Sequence, residues 1–443
     1  MTTRVLLRDG CVLTLGVKSP NFTEADVLIE DDRVAEVGPR LRARDAEPVD
    51  ATDTIVMPGF VDTHRHASRS LFRNLGEGAR GGEVPAPTPR FGEHHKPEDV
   101  YAATLIGLLG AIEAGITTVV DWSDVSLDDG SAEAALQAHA DAGLRTVFVH
   151  AASRPAQEDA AGPTRDLLTR LTGAAGPATT IAFGSVVAEP AGLDRVGREW
   201  ASARELGLRI HAHAAPERSG SGVVSALAER GLLGDDVTLV HWTELGDGDL
   251  DAIAGSGASV SLAPSSDMAG GLGSPPVQEL IDRGIRPGLG VDDVRVSPGD
   301  LFAQMRATIS LQHATVFERK LAGKAALPRL MTTRDVLRYA TVGGARVAGL
   351  AGVTGSLEPG MQADVIVLRT DRPNIFPIND PIGAVVWGMD TSNVDWVFVG
   401  GRVLMRDGSL QADVERARGL ATAARERVVS ASGPVGAAPR GEG

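Results

Sequence analysis

A chain of 443 residues can bury one barrel-sized domain and a smaller companion, and 43% hydrophobic with 23% charged residues is ordinary for a globular protein. The net charge of −15 excludes a nucleic-acid backbone as the expected partner, since such binding rests on a Lys/Arg surplus that is missing here. Cys11 is the single cysteine, so neither an internal disulfide nor a cysteine-based zinc site can form.

Residues 1–57 read as short strands, at 4–7, 11–15, 26–30 and 33–37, with Asp9-Gly10 and Asp31-Asp32 as hairpin turns. Neither a charged-then-apolar leader nor an apolar run near the roughly 18–20 residues that span a bilayer is apparent, so the cytoplasm is the expected location. From residue 58 the texture changes, and apolar runs of strand length alternate with helical segments. Strands are predicted at 55–63, 117–122, 146–150, 181–187, 209–214, 238–242, 259–263 and 287–291. Helices are predicted at 97–114, 131–142, 164–172, 193–206, 222–230, 248–254, 277–283 and 298–313. Eight strand–helix units is the number that closes a parallel barrel. The Gly/Pro-rich stretch 76–89 is too long for an ordinary connection and reads as a lid or substrate loop. Strand texture returns at 363–368, 394–399 and 402–405, before an exposed last helix at 411–429 and a disordered tail from about 432. The expected fold is α/β: a (β/α)8 TIM-like barrel over 58–351, with a small β-sandwich domain built from both ends, 1–57 with 352–443.

The histidines and carboxylates fall at the ends of these strands. His64 and His66 follow Val56-Met57-Pro58-Gly59-Phe60-Val61-Asp62-Thr63 at a spacing of two, which on a strand turns both imidazoles to one face. His211 and His213 lie on the fifth strand, His241 on the sixth, and Asp292 and Asp293 follow the eighth. A barrel's site forms where strand C-termini converge, so these residues are expected to meet despite their separation in sequence. Imidazoles with a carboxylate suit a borderline divalent ion, with zinc first and iron, manganese or cobalt as alternatives. Arg65, between the two histidines, should point into the barrel wall. Trp122, His150, Phe72, Arg73 and Asp267-Met268 follow strands and are candidates to border a pocket, while His313 looks like a helix-terminal cation.

With these motifs the chain resembles the amidohydrolase superfamily, in the branch holding cytosine, guanine and adenosylhomocysteine-type deaminases and triazine hydrolases. The resemblance is carried by Pro58-Gly59-Phe60-Val61-Asp62-Thr63-His64-Arg65-His66, by 114–121 (Ala-Gly-Ile-Thr-Thr-Val-Val-Asp), by 341–346 (Thr-Val-Gly-Gly-Ala-Arg) and by 355–364, which ends in Ala363-Asp364. It implies a metal-dependent hydrolase barrel in which His64, His66, His213 and His241 are metal ligands. Asp292 would both bind the ion and take a proton from its water. The implied activity is hydrolysis of a non-peptide C–N bond in a small molecule, first of all deamination of a heterocyclic amine by a metal-activated water. Cyclic amide ring opening, displacement at another carbon–heteroatom bond or a non-hydrolytic step at the same site are the alternatives, with an inactive binding module behind them. Such barrels often pair, so a homo-oligomer is possible on this resemblance.

Two departures from the family pattern matter. No lysine lies between Lys96 and Lys320, so a carboxylated lysine cannot bridge two ions, and a single ion is expected, with Glu189 the one residue that could bridge a second. The deaminases place a glutamate three residues after the fifth-strand histidine; here that position is Pro216 and Glu217 follows one place late. A one-residue slip on a strand reverses a side chain, so Glu217 either regains its aim through a bulge or stays exposed. His241, if it faces the attacked atom, would supply part of the missing acid function. His211 shares a face with His213 and would orient substrate or fill the barrel interior.

Overall fold

The structure, a computed structural model, describes residues 3–74, 94–124, 130–151, 161–187, 192–214 and 222–432. Two sheets organise it. The first takes β1 (Arg4–Val12), β2 (Phe22–Glu30), β3 (Arg33–Gly38), β4 (Glu47–Asp50) and β5 (Thr54–Pro58) from the start of the chain. The second holds β6 (Phe60–Arg65), β7 (Ile116–Ser123), β8 (Arg145–Ala151), β9 (Thr179–Val187), β10 (Ile210–Ala214), β11 (Val237–Val240), β12 (Ser259–Leu262) and β13 (Gly288–Leu289). The chain then returns to the first sheet with β14 (Val365–Arg369), β15 (Val394–Val399), β16 (Arg402–Arg406) and β17 (Ser409–Leu410).

The two chain ends join where β5 pairs antiparallel with β14, from Val365 opposite Pro58 to Arg369 opposite Thr54. Alternation along these strands sends Val5, Leu7, Val27, Ile29, Val56, Val365, Val367 and Phe398 to one shared apolar core. Asp364 ties this sheet to the barrel: Arg145 donates to it from Nε at 2.7 Å and from Nη2 at 3.1 Å, and its carbonyl accepts from Gly59 N at 3.0 Å.

Strands β6 to β13 pair in sequence order, all parallel. The seam between β13 and β6 is closed by the backbone beyond β13, with Asp292 N donating to His64 O at 2.8 Å and His66 N to Asp292 O at 3.1 Å. The buried carboxylate of Asp62 completes it by accepting from Val291 N at 3.0 Å. Inside the barrel, Val61, Val120, Trp122, Val147, Val149, Ala151 and Ala182 pack with Ala345 and Ala348. Phe148, Ile181, Phe183, Ile210 and Ala212 point the other way, into the helix layer. The helix Val342–Val347 plugs the floor, and Gly344 lets it approach closely, since a Cβ there would lie 3.0 Å from Val61 O.

Three expectations change. The apolar run 55–63 is not one strand. It divides at Gly59, where a Cβ would sit 2.1 Å from Thr117 Cγ2, and its first half belongs to the end sheet. The eighth barrel helix starts later, at Leu301, because Asp300 caps it by accepting from Ala303 N at 2.8 Å, and it runs on to Leu321. His313 is therefore internal to that helix and donates to Met331 O at 2.9 Å rather than ending it. The last helix, Val414–Ser432, is not simply exposed, since Ala424 and Val428 pack on Leu71, Phe72, Ala102 and Ala103. That packing buries Phe72 against the last helix.

Candidate metal centre

The ends of β6, β10, β11 and β13 bring His64, His66, His213, His241 and Asp292 to one buried point. Asp292 Oδ1 lies 3.3 Å from His64 Nε2, 3.3 Å from His66 Nε2 and 3.6 Å from His241 Nε2. The His213 ring centroid is 4.6 Å from that of His241 and 5.3 Å from that of His64. Donor atoms of His64, His213 and His241 fall within 4.8 Å of one another, and so do those of His64, His66 and Asp292. Local backbone accounts for the convergence. The β6–β7 register shifts between Asp62 and Arg65, and His241 and Asp292 both take φ +61°, a left-handed conformation uncommon for a side chain larger than glycine.

The spacing suits an ion better than direct hydrogen bonds. Ligands about 2.0–2.1 Å from a tetrahedral centre lie roughly 3.3 Å apart, whereas N–H···O bonds centre near about 2.9–3.0 Å. His64 Nε2 and His241 Nε2 are buried without a hydrogen-bond partner among the described residues. His213 Nδ1 faces Ala214 O at 2.8 Å, and a carbonyl only accepts, so the ring proton sits on Nδ1 and Nε2 keeps its lone pair. His241 Nδ1 faces Asp267 Oδ1 at 2.5 Å in the same sense. These are the outer partners that ligating histidines usually carry.

Charge is distributed unevenly in the cluster. Burial, with the neighbouring imidazoles and against the pull of Asp292, lowers His64 to about 3. Burial and the same neighbours also hold His213 well below its ordinary value. Burial would raise Asp292, yet His241 and the other facing imidazoles keep it well below the usual carboxylate range. Burial likewise opposes charge on His241, but Asp292 and Asp267 together raise it to about 10.

The remaining candidates separate. Trp122 reaches the centre, with its ring 4.9 Å from that of His213 and 6.0 Å from that of His64. His211 lies inside the barrel, 1% exposed, with neither ring nitrogen partnered among the described residues. His150 is a correction: it alternates with the inward Val149 and Ala151 and so faces the helix layer, where Glu133 of the helix Ser131–Ala142 is its charged neighbour. Both faces of a parallel strand are apolar, which is why the sequence did not tell inside from outside. Glu217, Pro216, Glu189 and the expected lid at 76–89 lie outside the described residues. Arg65 turns away from the cluster, donating from Nε to Asp62 at 2.7 Å and from Nη2 to Gly299 O at 2.9 Å.

Arg69, Asp124 and Ser266 went unrecognised in the sequence as supports of the site. Asp293 accepts from Arg69 Nη1 at 2.9 Å and from Arg295 Nε at 2.8 Å. Arg69 also donates to Asp124 at 2.5 Å, and Asp124 Oδ2 stands 3.8 Å from His66 Nδ1. Burial opposes ionisation of Asp124, yet Arg69 and His66 lower it to about 2. Ser266 Oγ donates to Asp292 Oδ2 at 2.5 Å, and Asp267, expected only near the pocket border, holds His241.

Comparison with known proteins bears on this arrangement. The model of the Amidohydrolase family matches residues 55–404. The chain is 30% identical to a 5-methylthioadenosine/S-adenosylhomocysteine deaminase of Desulfitobacterium hafniense, over 93% of this chain and 96% of that protein. It is 28% identical to a 5'-deoxyadenosine deaminase of Methanosarcina mazei, over 91% and 93%. Among solved structures, atrazine chlorohydrolase from Arthrobacter aurescens TC1, complexed with zinc, superposes with a TM-score of 0.82 at 21% identity, covering 95% of this chain and 100% of that one.

Proposed function

Since this chain belongs to the amidohydrolase family, we propose that it deaminates a heterocyclic amine, with one divalent ion, zinc first, held by His64, His66, His213, His241 and Asp292. The observation that carries the reading is the convergence of four imidazoles and one carboxylate at the barrel mouth: His64, His66 and His241 stand 3.3 to 3.6 Å from Asp292 Oδ1, and a donor atom of His213 lies within 4.8 Å of those of His64 and His241. When bound, the ion supplies Lewis acidity, which makes water a usable nucleophile near neutral pH. Asp292, free of its proton at that pH, accepts the proton the attacking water gives up and returns it to the departing nitrogen. His241 presents Nε2 to the same point, with Nδ1 held by Asp267. Trp122 walls the centre at the ring of His213 and limits how a planar substrate can lie there. The relatives' names point the search toward adenosine-like substrates with an altered 5' position.

Ammonia release across 5'-deoxyadenosine, 5-methylthioadenosine, S-adenosylhomocysteine, aminated pyrimidines and triazines tests the proposal. The expected result is stoichiometric ammonia from at least one of them, dependent on metal. No ammonia from any of them, with turnover of a cyclic amide instead, would move the assignment to ring opening. The alternative of displacing another leaving group draws on Pro216, which stands where related deaminases carry a glutamate. Product mass in ¹⁸O-labelled water separates the two: both add one oxygen, but only deamination loses nitrogen.

A further inference from the structure

The short helix Pro264–Ala269 follows β12 and carries two adjacent buried side chains that reach two different members of the cluster. Ser266 and Asp267 are 2% and 0% exposed. Ser266 donates from Oγ to Asp292 Oδ2 at 2.5 Å, and Asp267 Oδ1 accepts from His241 Nδ1 at 2.5 Å. The turn that holds them is fixed: Asp267 Oδ2 accepts from Ala263 N at 3.1 Å, Asp267 N donates to Ala263 O at 2.8 Å, and Ser265 N donates to Gln304 Oε1 at 3.0 Å.

Each contact settles an ambiguity that the cluster members cannot settle for themselves. A carboxylate has two equivalent oxygens and can turn either, or both, to a cation. With Oδ2 engaged by Ser266, Oδ1 alone faces the imidazole nitrogens. An imidazole has two tautomers, and a partner that only accepts fixes the proton on the nitrogen it faces. With Asp267 at Nδ1, His241 is left to present Nε2. His241 and Asp292 are also the two members whose backbones are left-handed, so neither is aimed by ordinary strand geometry.

We propose that Ser266 and Asp267 act as a two-residue clamp that selects which donor atom Asp292 and His241 present to a divalent ion. Both are positioning residues, since neither faces the ion's place itself. The inference rests on the metal-centre reading and adds to it a single rigid turn that sets two ligands at once.

The test uses the full chain, freed of metal with a chelator, and zinc titrated against a chromophoric competitor. Ser266→Ala and Asp267→Ala should each weaken zinc binding about 10–100-fold, the usual range for loss of an outer partner. Ser266→Thr keeps the hydroxyl and should restore affinity to near the native value, which a merely space-filling role would not require. In the zinc-loaded native protein, imidazole ¹⁵N spectra should place the His241 proton on Nδ1, a readout that needs no variant to fold. Native affinity in both alanine variants, or a His241 proton on Nε2, overturns the clamp alone. A native chain that takes up no zinc overturns the metal-centre reading and the clamp with it.

Discussion

Replacing Asp292 with Asn removes one negative charge while keeping the shape of the side chain. In the native site that charge faces three imidazole nitrogens at 3.3 to 3.6 Å and, with Asp267, holds His241 near 10. An amide cannot carry a proton from water to a leaving nitrogen, and general acid–base transfer contributes about 10²–10⁴-fold to rate. The expected loss in kcat/KM for ammonia release is therefore about 10³-fold, or about 4 kcal/mol of transition-state stabilisation. Metal should largely remain, because His64 and His213 are already neutral and their lone pairs are unaffected by the change. Ammonia release measured beside zinc content after dialysis gives both quantities from one preparation. An Asn variant that turns over at the native rate refutes the proton-carrier role. One that loses its zinc altogether makes Asp292 first of all an indispensable ligand, against the division of labour proposed here.

Three further outcomes follow from the same geometry. Gly290→Ala places a Cβ 2.8–2.9 Å from His64 O, N and Cβ at the barrel seam, so the seam must shift; overpacking of this kind costs about 1–3 kcal/mol, and both the thermal midpoint and zinc affinity should fall. His150→Leu should leave KM and kcat unchanged and not lower the thermal midpoint, because it removes two unpartnered ring nitrogens from the helix layer, each burial of that sort costing about 1–3 kcal/mol. Zinc binding to the metal-free protein at pH 7 should release about one proton, from His241, and none from His64, since metal ligates only the deprotonated ring. On that account zinc affinity rises with pH and levels off above the His241 value of about 10; calorimetry in buffers of different ionisation enthalpy measures the release, and a value of zero contradicts it.

How much of this was legible in the sequence depends on which physical signal each feature leaves. The helix Ser131–Ala142 has the predicted bounds because Gly130 and Gly143, both left-handed, mark its ends. The division of 55–63 left no such trace: its apolar residues run on without a change of period, while the pairing partner changes from β14 to β7 across Gly59. The histidines and Asp292 were visible because a barrel collects strand ends, and each stood at one. His150 stood at one too, but a strand buried on both faces carries no periodic mark of which side is the interior. Ser266, and the hold of Asp267 on His241, escaped for a different reason. Their partners lie 26 residues away in each case, and nothing local to a Ser-Asp pair announces such a contact. Trp122 was expected near the site from strand position alone, and its tilted ring contact with His213 comes from the barrel's inward face.

The claim on which the account turns is that one ion is shared by side chains from β6, β10, β11 and the end of β13. Diffraction from crystals grown with zinc, measured on both sides of the zinc absorption edge, tests it directly. A single anomalous peak is expected about 2.0–2.2 Å from imidazole nitrogens of His64, His66, His213 and His241 and from Asp292 Oδ1. A peak bound by other residues, or none in this cluster under zinc saturation, would contradict it.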